Sequence, residues 1–155
     1  MRKTSEARFE FDGHEYILSI LRDHDPKNDR DSCSMSVGPA GAGFVSLGMV
    51  LASFWSDQAG EVLESIRTRV GLSKEGPAQY SFHEEYPDEL PPGITVRLLE
   101  ASETVSITDF VRFLSEFAPA YAKAAAAVGL KTHEELQPRL AELREQFEKY
   151  GDTIH

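Results

Sequence analysis

Cysteine is nearly absent: Cys33 is the only one in 155 residues. A lone thiol excludes an intrachain disulfide and a cysteine-rich zinc site, and it fits a reducing compartment. Long apolar runs are missing as well. The longest mostly apolar stretch, FVSLGMVLASFW from Phe44 to Trp55, is too short to cross a bilayer as a helix. The opening MRKTSEARFEF passes from two bases straight into charged sequence with no apolar segment, unlike a secretion signal. A soluble, cytoplasmic protein is the expectation. Bases are also in deficit, with 16 Lys and Arg against 26 Asp and Glu, a net charge of −10. Long-range repulsion then disfavours nucleic acid or an anionic membrane as partner.

Catalytic motifs are incomplete wherever they begin. GPAGAGFV has Gly38 and Gly43 at the spacing of a phosphate loop, but Phe44 and Val45 replace the Lys and the Mg²⁺-binding hydroxyl. Ser46 in GFVSLG lies one residue too far from its first glycine for a nucleophile elbow. Cys33 lacks an evident base and reads as a small core residue in an alternating strand. DHDPKNDRD offers Asp23, Asp25, Asp29 and Asp31 as hard oxygen donors, yet Lys27 breaks the calcium-loop pattern and the segment reads as a solvated connection. His83-Glu84-Glu85 and His133-Glu134-Glu135 repeat the triplet HEE without the H-E-x-x-H spacing that places two histidines on one helix face. No metal or cofactor is expected.

The apolar fraction of 41% suits one packed domain over residues 1–155. Alternation at Phe9, Phe11, Tyr16, Leu18 and Ile20 around Asp12-Gly13 predicts a hairpin. Strands are further predicted at 32–37, at Phe44 to about Ser53, at Tyr80 to Phe82, and as a second hairpin in ITVRLLE and ETVSI around Ala101 and Ser102. A helix is predicted from Ser56 or Asp57 to Val70, ended by Gly71, with SKEGPAQ as a turn. Thr108 is placed to cap a second helix with Phe110, Phe113, Leu114, Phe117 and Tyr121 on its core face; Pro119 either kinks or restarts it, and Gly129 closes it. Thr132 and Glu135 have capping-box spacing before a stripe at Leu136, Leu140, Leu143, Phe147 and Tyr150, with Pro138 marking a bend or a late start. The order strands, helix, strands, two helices predicts an α+β fold in which one antiparallel sheet of about five to seven strands packs against about three helices.

One segment is chemically dense. YSFHEEYPDELPPG, residues 80–93, holds one histidine, four carboxylates and two tyrosines. It lies within residues 77–116, where eight acids face only Arg97 and Arg112, a local net of −6. Acids among Pro87, Pro91 and Pro92 read as exposed, which argues against a buried general acid or base. Tyrosines between carboxylates on a stiff loop instead give amphipathic anchors with a negative rim. Tyr80, Glu84, Glu85, Tyr86, Asp88 and Glu89 are therefore the candidate partner-binding residues.

The hairpin RFEFDGHEYILSI, the loop HEEYPDE and the segment ETVSITDFVRFLSEFAPAYAKA together make the chain resemble the small acidic immunity proteins of bacterial toxin systems. That resemblance implies a non-enzymatic protein without a cofactor, which binds a cognate toxin, expected to be basic, and occludes its active site or substrate channel. A small acidic secretion chaperone is the alternative, and its dimer would use the 136–150 helix. A small hydrolase or metal-binding enzyme comes third, and would need Cys33 or the 80–93 carboxylates to converge with a histidine.

Overall fold

The computed structural model describes residues 2–39, 45–73 and 78–153. The glycine-rich segment 40–43, Phe44 and residues 74–77 of SKEGPAQ lie outside that description, as do the side chains of Pro39, Val45, Ser46 and Thr153. Strands β1 (Arg2–Phe11), β2 (His14–Asp25) and β3 (Arg30–Pro39) form one antiparallel meander. Helix α1 (Val45–Thr68) leads to a second antiparallel sheet of β4 (Leu72–Ser73), β5 (Ala78–Phe82), β6 (Ile94–Leu98) and β7 (Ala101–Val105). Helices α2 (Ile107–Ala127) and α3 (Gln137–Tyr150) follow. The fold is α+β with three helices and seven strands among the described residues, but the strands divide into two sheets rather than one.

The opening hairpin forms where Asp12-Gly13 predicts it. Both residues take positive φ, +51° and +80°, the twist that a two-residue connection needs between right-handed strands. Its inward side chains, Ala7, Phe9, Tyr16, Leu18 and Ile20, are buried against α2. The rings of Phe9 and Tyr16 meet Phe113 edge-on at 5.4 and 5.2 Å. Edge-to-face contact sets the positive rim of one ring on the negative face of another, so the pair gains more than buried area alone.

The element order departs from expectation between Phe44 and Ser53, where a strand is predicted and α1 runs from Val45 onward. Leu47, Val50, Leu51, Phe54 and Trp55 are all fully buried, because this half of α1 lies between β3, the second sheet and α2. A helix covered all round has no polar face, so its 3.6-residue period vanishes and it reads like a buried strand. Its fit is tight: a Cβ on Gly48 would stand 2.8 Å from the Val37 side chain. The predicted start at Ser56 or Asp57 coincides with a bend, where Gln58 leaves helical geometry (φ −130°, ψ 32°). The carbonyl of Ser56 there accepts a 3.1 Å hydrogen bond from His133 Nε2. Gly71 does not end the helix; Arg69, at φ +60°, makes the terminal turn.

Three further boundaries move. Ser106, not Thr108, caps α2 by accepting from the Asp109 amide at 3.0 Å. The Asp152 carboxylate accepts from the amides of Ile107 and Thr108, each at 2.9 Å, so the turn after α3 closes over the same helix end. Helix α2 then continues unbroken through Pro119 to Ala127. The Thr132 capping box is not formed, because His133 takes a left-handed conformation (φ 61°) and α3 starts late, with Pro138 in its first turn. The tight turn of the β6–β7 hairpin is Leu99-Glu100 rather than Ala101-Ser102. No helix among the described residues is long and apolar enough to cross a membrane.

Candidate functional site

The second sheet has one buried and one open face. Tyr80, Phe82, Ile94 and Val96 point toward α1, and strand alternation therefore turns Gln79, Ser81, Thr95 and Arg97 to the other face, where Thr95 is buried at 7% exposure beneath its neighbours. Tyr80 is thus a core residue, 1% exposed, with its hydroxyl 2.5 Å from Ser65 Oγ; burial pushes its phenol well above the ordinary value. It cannot anchor a partner. The parity it shares with Phe82, opposite to Gln79 and Ser81, is the signal that places it inside.

The loop between β5 and β6 is held by its own backbone. A single 3₁₀ turn, His83–Glu85, opens it. The Tyr86 amide then bonds the His83 carbonyl at 3.0 Å, and the amides of Glu89 and Leu90 bond the Tyr86 carbonyl at 3.0 and 2.9 Å. His83 Nδ1 donates to the Leu90 carbonyl at 2.7 Å, so the ring's δ nitrogen carries a proton and the imidazole staples the loop across its width. Glu85 Oε1 accepts from two amides, Phe82 and Gly71, each at 2.8 Å. This carboxylate ties the loop to the end of α1 and is internal equipment rather than contact surface.

Both chain crossings at the loop require glycine. A Cβ on Gly71 would stand 1.9 Å from the Tyr80 carbonyl oxygen, and one on Gly93 would stand 2.3 Å from the Val105 carbonyl oxygen. Neither backbone can yield without disturbing the sheet.

With its frame fixed, the loop presents Glu84, Tyr86, Asp88 and Glu89 to solvent, Tyr86 at 50% exposure. No described residue forms an ion pair with Glu84, Asp88 or Glu89. Glu6, Glu10 and Glu100 also stand without an ion pair to a described residue, whereas several other acids are paired. Glu15 meets Arg8, Asp31 meets His24 and Arg22, and Glu116 and Glu148 meet Arg144. At the foot of the loop, Tyr86, Glu89 and Leu90 join the outward row Gln79, Ser81, Thr95 and Arg97 around a groove of about 330 Å³. The floor is tied by a 3.0 Å hydrogen bond between the hydroxyls of Thr95 and Thr104. The groove residues outside 80–93 are ones that sequence reasoning missed; Thr95 and Arg97 on the polar parity of an otherwise apolar strand are the trace they leave.

The other candidates fall elsewhere. Cys33 is exposed, not core, because it lies near the outer end of β3, and partial burial raises its thiol pKa. The aspartate-rich segment is the tip of the β2–β3 hairpin, where Asp25 accepts from the Lys27 amide and the Asn28 side chain. His83 and His133 serve different parts of the molecule, and no group of three or more metal-binding side chains converges among the described residues. On α3, Leu140 and Phe147 are buried and Leu136 and Leu143 pack on the core, while Tyr150, the last residue of the stripe, is 56% exposed. A larger hollow of about 700 Å³ on the outer face of the first sheet is lined by Ser19, Ser34, Ser36 and Thr4, with Glu6 its one charge. Nothing there selects an occupant. No protein-family model matches the chain, and neither the curated proteins nor the solved structures yield a significant match.

Proposed function

We propose that this chain is a non-enzymatic binding protein of the immunity type, which neutralises a basic protein partner by docking it on the 84–89 loop. The observation that carries this reading is the contrast within the loop. Its hydrogen bonds hold the backbone in shape, while Tyr86 and three unpaired carboxylates face solvent. A loop already ordered loses little conformational entropy on binding. A half-exposed tyrosine supplies apolar area with few rotatable bonds, and the acids around it steer a basic surface and fix its register. The contact set is Glu84, Tyr86, Asp88 and Glu89; Tyr80 and Glu85 belong to the support.

Affinity capture from the native cells tests this. The wild-type chain is expected to retain a basic protein in a salt-sensitive manner. The triple reversal Glu84→Lys, Asp88→Lys, Glu89→Lys is expected to lose it, and Tyr86→Ala to weaken it by about tenfold or more. Undiminished capture by the triple variant, or the absence of any basic partner, would overturn the proposal.

A further inference from the structure

One residue in this negative surface has the opposite sign. Of the two bases between residues 77 and 116, Arg112 is engaged by Glu148 at 3.4 Å and by Asp109 at 3.8 Å. Arg97 makes no ion pair with any described residue, although it lines the same groove as Glu89. Arg97 pairs across the strands with Gln79, and Thr95 pairs with Ser81, so the two rows stand about 7 Å apart along the outward face. The loop residues Tyr86, Glu89 and Leu90 complete the lining. The groove therefore carries an anion with an aromatic ring and also a cation, and they do not neutralise each other.

We propose that the groove receives an extended segment of the protein partner, with a basic side chain set against Glu89 and Tyr86 and an acidic side chain against Arg97. This rests on the loop being the docking surface. In an extended chain, side chains on one face recur every second residue, about 7 Å apart, which matches the row spacing of the groove floor. The basic group gains a carboxylate and the face of an aromatic ring; the acidic group gains a guanidinium fork. Gln79 and Ser81 offer hydrogen bonds between them. A second copy of this chain is a poor occupant, since it brings a further net charge of −10 against the same acids. A uniformly basic segment is also disfavoured, because it would set a cation on Arg97.

Three capped Thr-rich pentapeptides test the pairing, bearing Lys and Glu, Lys and Lys, or Glu and Glu at the second and fourth positions. Binding is read from the amide resonances of residues 79–97 and the side-chain Nε–H of Arg97. The Lys/Glu peptide is expected to shift both the Arg97 side chain and the Tyr86 to Glu89 amides. It should bind at least about fivefold more tightly than either uniform peptide, and Arg97→Glu should remove that advantage. Arg97→Gln, which keeps the side chain's polarity and removes its charge, should give an intermediate affinity with an otherwise unchanged spectrum. If Lys/Lys binds as well as Lys/Glu and Arg97→Glu tightens both, the two-sign pairing is wrong and the acidic docking loop stands. If no peptide shifts these resonances, the groove pairing is wrong, and the docking loop stands or falls on the affinity capture alone.

Discussion

The molecule carries two acid-rich regions that handle their charge in opposite ways. Along the seam between α2 and α3, Glu116 bonds Arg144 at 3.0 Å, and Glu148 bonds Arg144 at 3.2 Å and Arg112 at 3.4 Å. In the loop after β5, three carboxylates stand without a counter-ion among the described residues, and the fourth is turned inward onto backbone amides. The seam uses charge to join two helices. The loop uses one charge for its frame and leaves the others facing outward, which costs the fold some self-repulsion and suits encounter with a cation.

The largest effect expected from breaking the loop is at Gly71. Gly71→Ala forces a methyl onto the Tyr80 carbonyl, and a loss of roughly 3 kcal/mol or outright failure to fold is expected in urea unfolding. Glu85→Ala leaves two amides without their acceptor and should cost about 2 kcal/mol, whereas Glu84→Ala, one residue away, should stay within about 0.5 kcal/mol. Equal losses from these two substitutions would erase the division between frame and surface.

The seam should announce itself in acid. The Arg144 hydrogen bond holds the Glu148 carboxyl below its ordinary value of 4.5. A depressed folded pKa stabilises the fold above the unfolded value, and that contribution disappears as pH falls through the lower, folded pKa. Thermal unfolding followed by circular dichroism should therefore show Glu148→Gln less stable than the parent at neutral pH and equal to it in strong acid. In the loop the sign reverses: Asp88→Asn with Glu89→Gln should raise the melting temperature slightly at low ionic strength by removing like-charge repulsion. That gain should vanish in molar salt, where the Debye length shrinks to about 3 Å.

At high pH the core gives a last check. Burial lifts the Tyr80 phenol above its ordinary 10.0 and that of Tyr121 to about 12. A raised folded pKa means stability present below the unfolded value and lost as pH rises beyond it, so tyrosinate absorbance from these two should appear together with unfolding. Ionisation of either within a fully folded chain would contradict their burial.

Elements with a one-sided environment were legible from the residues. The Asp12-Gly13 hairpin, the aromatic face of α2 and the late start of α3 at Pro138 each leave a periodic or turn signal. The first half of α1 left none, being apolar on all sides. The acidic loop could be located, but the difference between Glu84 and Glu85 could not, because it depends on where Gly71 passes in space. The buried place of Tyr80 is legible in the parity it shares with Phe82 on the predicted strand. Arg97 was legible only as one of two bases in an acidic stretch, since an isolated base acquires a site only when Glu89 and Tyr86 are found to line the same groove.

The bend in α1 sets a condition on the order of assembly. The carbonyl of Ser56, beside the bend, is met by a histidine 77 residues downstream. During synthesis from the N-terminus, α1 is complete long before that histidine exists, so its kinked form lacks this acceptor's partner until the α2–α3 connection docks. A chain truncated before Thr132 would keep every residue of both sheets and still be unable to close this hinge.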